Sequence, residues 1–217
     1  MKNVVAPTTL FASPEALWAR AVLSAPHRYV IVDTETTGCD STSEIVQIAA
    51  IDITGNVLLD TLIRPLNTRR MPAEAEAVHG ISMKDLQGAP AWTEVAEQID
   101  AIVQDKIVLA YNAAYDERLV RQTAKMYQQP QPRAERWECV MLKYSAFVGE
   151  PSLRHRGEFK WQKLPGAVHG AVGDCQAALT VIKSMADSAG PASAPAQPAS
   201  SRPVTQAGRS GQLGTMP

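Results

Sequence analysis

The sequence predicts an α/β fold in three layers, with a central mixed five-stranded sheet flanked by helices. After Tyr29, residues 30–32 form a short β-branched apolar run bounded by turn formers, which is typical of a buried strand. Two further apolar runs, 44–53 and 57–63, are separated by Thr54-Gly55-Asn56, so strands two and three are predicted to form an antiparallel hairpin. Residues 106–111 then pass directly into a helical pattern, the strand-to-helix step of an α/β layer.

The helices of the first half are predicted from their caps and apolar spacing. Ser13 followed by Pro14 is a typical helix start, and it predicts a helix over about 14–23 whose inner face carries Leu17, Trp18 and Val22. Residues 72–78 predict a short helix that stops at His79-Gly80. Thr93 is expected to cap an amphipathic helix with an inner stripe of Val95, Ile99, Ile102 and Val103.

The second half completes the two helical layers. After the fourth strand, a helix is predicted with Leu119, Val120 and Thr123 on its inner side. A short fifth strand is expected at 138–139 and a helix at 140–148. Residues 149–165 are polar, basic and aromatic without a clear period, which predicts a loop. The last helix is predicted over 172–186, with an apolar stripe of Cys175, Ala178, Leu179 and Ile182.

Length and composition predict one domain and a tail. We expect a domain over residues 1–187, with its core at 29–186, because 217 residues suit a single buried core. In residues 188–217 the composition changes: 20 of 30 residues are Ala, Pro, Ser or Gly, which cannot build a core. This segment is predicted to be a disordered tether or an interaction segment for a protein partner.

The bulk composition excludes several classes of protein. No apolar run approaches the ~20 residues that cross a bilayer, so no membrane association is expected. Three scattered cysteines indicate neither a disulfide framework nor a zinc cluster, and no secretory signal is evident, so a cytoplasmic protein is predicted. The net charge is −1, yet residues 118–163 hold ten Lys or Arg against four Glu. That segment is either a phosphate-facing patch or an ordinary solvated surface.

The stretch YVIVDTETTG, residues 29–38, carries the first chemical signal. Asp33 and Glu35 are two residues apart, so the alternation of a strand directs both carboxylates to one face. Two like charges at that distance repel each other unless a cation lies between them, and the motif contains no Lys or Arg. A divalent ion such as Mg²⁺ or Mn²⁺ is therefore the natural candidate. The alternative is a strand end with two solvated acids.

Further acids recur at positions that suit a metal site. Asp116 follows a strand-to-helix junction, where an open α/β sheet presents functional groups at its carboxyl edge. In HGAVGD, His169 precedes Asp174 by five residues, and Gly170 and Gly173 leave the entry to the last helix uncrowded. The sequence thus offers one titratable base and four potential metal ligands.

The motifs DTETTG, YNAAYD and HGAVGD, in this order and separation, resemble those of the DEDDh family. These are 3′-to-5′ exonucleases with an RNase H-like fold, typified by the proofreading epsilon subunit of bacterial DNA polymerase III. The resemblance covers residues 29 to about 185. A tyrosine-type relative would carry Tyr at position 170, which is Gly here, so the histidine branch is favoured. Two departures are Tyr111, where many relatives have His, and the irregular FKWQKLPGAV segment before the third motif.

The resemblance implies a two-metal phosphodiester hydrolase that uses Mg²⁺ or Mn²⁺. It implies that Asp33 bridges the two ions, that Glu35 and Asp174 complete the site of one, and that Asp116 supports the other. His169 then accepts the proton of the attacking water. The implied reaction releases nucleoside monophosphates from the 3′ end of single-stranded or frayed DNA. RNA or short oligoribonucleotides are an alternative substrate, and a non-catalytic, polymerase-associated adaptor is an alternative function.

Several residues are candidates for substrate contact. By the resemblance, Thr36 and Thr37 lie against the terminal sugar, and VHGIS places His79 near the 3′-terminal nucleotide. The other interpretation of His79 is a structural helix stop. In the loop at 149–165, Trp161 and Phe159 are candidates for stacking on a base, and Lys160 for neutralising a phosphate. The alternative for Trp161 is that it fills the core beneath this loop.

Overall fold

The computed structural model describes residues 12–67, 69–154 and 156–188. All but the first residue of the predicted tail lies outside these ranges, so its disorder and its role stay predictions. Among the described helices, none combines the length and the apolar character that a membrane crossing requires.

One mixed sheet forms the centre of the molecule. Its strands are β1 (Tyr29–Thr36), β2 (Ile45–Asp52), β3 (Val57–Leu62), β4 (Ile107–Ala110) and β5 (Arg136–Cys139). In the spatial order β3-β2-β1-β4-β5, β2 runs antiparallel to both of its neighbours, whereas β1, β4 and β5 are mutually parallel. The predicted mixed five-stranded sheet is therefore confirmed, although the fifth strand begins two residues earlier than predicted.

Helices cover both faces of this sheet. They are α1 (Pro14–Ser24), α2 (Ala73–His79), α3 (Trp92–Val103), α4 (Ala113–Met126), α5 (Val140–Val148) and α6 (Ala171–Asp187). The predicted inner stripes of α4 and α6 are buried, because apolar residues at helical spacing share one face. A short 3-10 turn, Pro26–Arg28, leads into β1.

The alternation of side chains along β1 separates the two helical layers. Ile31 packs into the cluster that contains the buried residues of α6, whereas Val30 and Val32 pack into the cluster built from α3 and α4. The strand continues with the same alternation into its polar end. Asp33 and Glu35 therefore belong to the face covered by α6, and Thr34 belongs to the face covered by α4.

Two predicted helix details are wrong. Leu17 is 56% exposed; Ala16, Ala19 and Val22 form the buried face of α1. Small side chains at this spacing let α1 approach α6 closely, and the larger leucine is left outside. The helix α3 begins one residue before Thr93, and the Glu94 carboxylate accepts a hydrogen bond of 2.7 Å from the Ala91 N–H. A glutamate at the third helical position thus replaces the expected threonine cap.

Candidate active site

The five predicted catalytic residues lie around one pocket. Its volume is about 460 Å³, and it opens at the carboxyl ends of β1 and β4. Its walls come from β1, from the start of α4, and from the segment that leads into α6. The acidic and histidine side chains in the lining are Asp33, Glu35, Asp116, His169 and Asp174.

Three of the carboxylates form a tight cluster. Oxygen atoms of Asp33, Glu35 and Asp174 all lie within 4.8 Å of one another. Their proximity follows from the fold, because Asp33 and Glu35 project from the face of β1 that α6 covers, and Asp174 lies in the first turn of α6. The register between β1 and β2 shifts between Glu35 and Thr36, which marks a bulge at the end of β1.

The fourth carboxylate reaches the pocket from the other side of the sheet. Asp116 is buried in the first turn of α4, and its Oδ1 accepts a hydrogen bond of 2.8 Å from Thr34 Oγ1. Because Thr34 faces α4, it holds Asp116 at the edge of the strand that also carries Asp33. Asp116 is therefore a neighbour of the three-carboxylate cluster and lies outside it.

Burial and the repulsion between neighbouring carboxylates raise the pKa values of Asp33, Glu35 and Asp116. The pKa of Asp33 is well above its ordinary value, through burial and then through the charges of Asp116, Glu35 and Asp174. The pKa of Glu35 rises to about 7 for the same reasons. Burial also raises the pKa of Asp116 to about 7, although the Thr34 hydrogen bond opposes it.

The donor set fits divalent cations. Among the ion pairs of the described residues, none involves these four acids, so their charge is uncompensated by Lys or Arg. Carboxylate oxygens are the ligands that Mg²⁺ and Mn²⁺ take in proteins. A cluster of like charges with raised pKa values is the arrangement that a divalent ion would stabilise.

This cluster makes the stability of the metal-free protein depend on pH. A carboxyl group whose pKa is higher in the folded protein than in the unfolded chain does not destabilise the folded protein below its unfolded pKa of ~4. Its cost grows as the pH rises and is complete above the folded pKa, about 7 for Glu35 and Asp116. We expect the unfolding temperature of the wild type in EDTA to fall, relative to that of Asp33→Asn, between pH 5 and pH 8. Calorimetry at several pH values measures this difference.

The control for this prediction is Asp187→Asn, which neutralises an exposed acid at the far end of α6. Its unfolding temperature should follow the wild-type curve. Mn²⁺ at pH 8 should raise the unfolding temperature of wild type and Asp187→Asn, and raise that of Asp33→Asn much less. Parallel curves for wild type and Asp33→Asn would contradict the coupled cluster.

His169 projects from a short loop that is fastened to α6. Its backbone is left-handed, with φ at 55°, and its side chain is exposed at the pocket. The preceding Val168 N–H donates a hydrogen bond of 2.8 Å to Asp174 Oδ1. The position of the histidine is therefore linked to a carboxylate of the cluster.

Gly173 keeps this loop in place. A Cβ on Gly173 would collide with Cγ2 of Val168, whereas a Cβ on Gly170 would meet no atom within 4 Å. We expect Gly173→Ala to displace Val168 and His169 and to reduce kcat on an oligonucleotide about 100-fold, since a shift of ~1 Å in a catalytic group has an effect of that size. Steady-state kinetics on an oligonucleotide measures the effect.

The matched control is Gly170→Ala, for which kcat should stay within about twofold of wild type. Alanine is the better helix former at position 173 by up to ~1 kcal/mol, so propensity alone favours the substitution. Equal activity of the two variants would show that the Val168 contact does not position the histidine.

A second pocket adjoins the first, and it contains the predicted sugar-contact residues. Its volume is about 520 Å³, and Thr36, Thr37 and His79 lie in its wall. Thr37 is held by Glu44: the Thr37 N–H donates to the Glu44 carbonyl oxygen at 2.9 Å, and Thr37 Oγ1 accepts from the Glu44 N–H. Tyr115 lines both pockets, and its hydroxyl lies 2.6 Å from Thr36 Oγ1.

His79 is a helix stop that also lines this second pocket. It is the last residue of α2, and Gly80 follows with φ at 74°. His79 Nδ1 accepts the Ile81 N–H at 3.0 Å, so Nε2 carries the proton and donates to the Thr36 carbonyl oxygen at 3.2 Å. Burial lowers the pKa of His79, which favours this neutral ring. The two interpretations of His79 are therefore compatible.

The aromatic residues of the 149–165 loop lie on the surface. Trp161 is 61% exposed, so the alternative that it fills the core is wrong. The space beneath the loop is occupied by Leu164 and by residues of α5 and α6. Lys160 Nζ is 2.8 Å from Glu150 Oε1, so its charge is already paired within the loop. Because of this pairing, Lys160 is less available for the expected contact with a phosphate.

Sequence reasoning missed the residues that position the site. Thr34 holds Asp116, and Gln47 Oε1 lies 3.4 Å from the Ala171 N–H at the start of α6. The alternation along β1 could have identified Thr34, because it directs that hydroxyl toward the helix that begins at the second motif. Gln47 and Tyr115 carry no comparable signal, since their partners are distant in sequence.

The mixed five-stranded sheet between helical layers is an RNase H-like fold, and four carboxylates and a histidine line the pocket at the carboxyl ends of β1 and β4. Comparison with known proteins identifies the family: residues 30–182 match the model described as exonuclease, and the chain belongs to this family. The prediction of an exonuclease is thus confirmed.

Two relatives and one solved structure illustrate this similarity. The uncharacterized exonuclease CP81 of Escherichia phage 186 is 36% identical over 173 residues, which cover 72% of this chain and 87% of that protein. The DNA polymerase III subunit epsilon of Rickettsia prowazekii is 36% identical over 95 residues, 41% of each protein. E. coli Exonuclease I in complex with a dA16 oligonucleotide shares the fold, with a TM-score of 0.57 at 17% identity over 73% of this chain and 42% of that one.

Proposed function

We propose that the protein is a metal-dependent 3′-to-5′ exonuclease that removes nucleoside monophosphates from single-stranded or frayed DNA. The observation that carries this proposal is the pocket in which Asp33, Glu35 and Asp174 lie within 4.8 Å of one another, with Asp116 and His169 in the same lining. DNA is proposed as the substrate because the sequence similarity extends to the epsilon subunit of a DNA polymerase.

The four carboxylates would hold two divalent ions, Mg²⁺ or Mn²⁺. We assign Asp33 to both ions, Glu35 and Asp174 to one, and Asp116 to the other. When bound, such ions stabilise the charge that develops on the attacking and leaving oxygens of a phosphodiester. The separation of Asp116 from the other three carboxylates supports this division.

His169 and two positioning hydrogen bonds serve the proposed proton transfer. His169 lies at the open side of the pocket, where its imidazole accepts the proton of the attacking water. The Val168–Asp174 hydrogen bond fixes the loop that carries it, and Thr34 fixes Asp116.

The second pocket is the proposed place of the 3′-terminal nucleoside. Thr36, Thr37 and His79 line it, and Tyr115 connects it to the acidic pocket. A terminal sugar in this space would place the last phosphodiester near the carboxylates. Helix α2 forms one wall of this pocket, and this wall is the proposed barrier that limits attack to a chain terminus.

End-labelled substrates test the polarity and the metal dependence together. With Mg²⁺ or Mn²⁺, a single-stranded DNA labelled at its 3′ end should release labelled mononucleotide at once, whereas a 5′-labelled strand should shorten stepwise. EDTA should stop both reactions. Stepwise shortening of the 3′-labelled strand, or undiminished hydrolysis in EDTA, would overturn the proposal.

Two further proposals concern the cell. The three cysteines are free thiols, which supports a reducing compartment such as the cytoplasm. The composition of residues 188–217 supports a tether that recruits a polymerase or another protein.

A further inference from the structure

The loop at 149–165 forms a small, ordered surface beside the active site. The structure describes residues 149–154 and 156–165 of it. Its two sides pair in antiparallel fashion: the Ser152 N–H donates to the Glu158 carbonyl oxygen at 2.9 Å, and the Lys160 N–H donates to the Glu150 carbonyl oxygen at 2.8 Å. The Lys160–Glu150 ion pair adds a side-chain link between the same two sides.

This surface is fastened to the wall of the catalytic pocket. The Tyr111 hydroxyl donates to the Gln162 carbonyl oxygen at 2.9 Å, and the Gln162 N–H donates to Ser145 Oγ at 3.2 Å. Tyr111 and Lys163 both line the catalytic pocket. Two residues of chain span at most about 7 Å, so the backbone of Trp161 lies within that distance of Lys163.

The outer side of the loop is a shallow aromatic cavity. Its volume is about 450 Å³, and Leu153, Phe159 and Trp161 supply its apolar lining. These three side chains are exposed, and the polar side chain of Arg154 stands among them. An exposed tryptophan and phenylalanine beside a catalytic pocket offer π-faces without a partner in the fold.

Unpaired cations accompany these aromatic residues. Arg154 lines the cavity, Arg156 belongs to the same loop, and Lys163 lines the catalytic pocket; within the described part of the chain, none of the three makes an ion pair. Two acids also line the cavity: Glu150 is engaged by Lys160, and Glu158 offsets one of the cations. The net charge of the surface is therefore positive, in contrast to that of the acidic pocket.

We propose that this surface is a stacking platform for bases of the substrate strand on the 5′ side of the terminal nucleotide. Trp161 and Phe159 stack on the bases, and Arg154, Arg156 and Lys163 lie against the phosphates. The occupant is a nucleic-acid strand because the surface combines aromatic faces with unpaired cations, and its Trp161 is only two residues from Lys163 in the wall of the catalytic pocket. This assignment rests on the proposed exonuclease function.

Variants of Trp161 separate stacking from mere apolar contact. Trp161→Leu should raise KM for a single-stranded 12-mer about tenfold, with kcat within twofold, because the stack on one base is lost. Trp161→Phe retains a π-face and should stay close to wild type. Leu142→Ala removes another exposed apolar side chain, on α5, and serves as the matched surface control.

Two substrates separate this inference from the function on which it rests. The p-nitrophenyl ester of thymidine 5′-monophosphate reaches only the catalytic pocket, so Trp161→Leu should hydrolyse it as wild type does. On a 12-mer that lacks the bases at the second to fourth positions from its 3′ end, KM should increase more for wild type than for Trp161→Leu, which retains only Phe159 for stacking. DNA and RNA versions of the 12-mer establish which strand the platform favours.

Equal KM values for wild type and Trp161→Leu on the intact 12-mer would overturn the platform while the exonuclease assignment stands. Equal sensitivity of both proteins to the missing bases would also overturn it. If wild type hydrolyses neither the oligonucleotides nor the ester, the exonuclease assignment itself fails.

Discussion

Asp33→Asn is expected to reduce kcat/KM on single-stranded DNA by roughly 1,000-fold or more. Metal ions contribute several kcal/mol to the stabilisation of such a transition state, and each 1.4 kcal/mol corresponds to a factor of ten. Asp33 is the residue whose loss should matter most, because its carboxylate lies within 4.8 Å of those of Glu35 and Asp174 and also interacts with the charge of Asp116. Steady-state kinetics with Mn²⁺ gives the ratio.

Asp187→Asn is again the matched control, and its kcat/KM should equal that of wild type. The Asp33→Asn protein should remain folded, since the substitution relieves repulsion among the buried acids. Its expected inactivity therefore reflects the lost ligand. An Asp33→Asn protein with more than about a tenth of wild-type activity would contradict the proposed role.

His169→Gln is expected to reduce kcat 100- to 10,000-fold, the usual range for the loss of a general base. In the proposed scheme His169 is not a metal ligand. Mn²⁺ should therefore still raise the unfolding temperature of this variant as it does for wild type. Asp33→Asn should lose both activity and the Mn²⁺ effect. Kinetics and thermal unfolding on the same preparations distinguish the two roles.

His27→Gln is the matched control for this substitution, since His27 is exposed in the turn before β1. Its kcat should be unchanged. If His169→Gln also loses the Mn²⁺ effect, the histidine contributes to metal binding or to the integrity of the loop, and its assignment as a base fails.

The strands and most helices were predictable because a local sequence pattern indicates each of them. The β-branched run before Asp33 and the Thr54-Gly55-Asn56 turn each specify one element over a few residues. The predicted site residues could be named because three motifs preserve their spacing to the ends of these elements. Their placement around one pocket then follows from the parallel arrangement of β1 and β4.

The errors concern choices that only packing decides. Helical spacing allowed either Leu17 or Ala16 to face the core, and the close approach of α6 selects the smaller side chain. Trp161 is large and apolar, yet the hydrogen bonds of Gln162 to Tyr111 and Ser145 hold its loop outside the core. Gln47 and Tyr115 act through partners far along the chain, which no local pattern indicates.

A crystal structure of the wild type with Mn²⁺ and a nucleoside monophosphate tests the central claim most directly. Anomalous scattering should locate two Mn²⁺ ions in the pocket, with Asp33 in contact with both. The ligands of the two ions should otherwise divide between Glu35 with Asp174 on one side and Asp116 on the other. A pocket without ions at saturating Mn²⁺, or ions bound away from Asp33, would contradict the account.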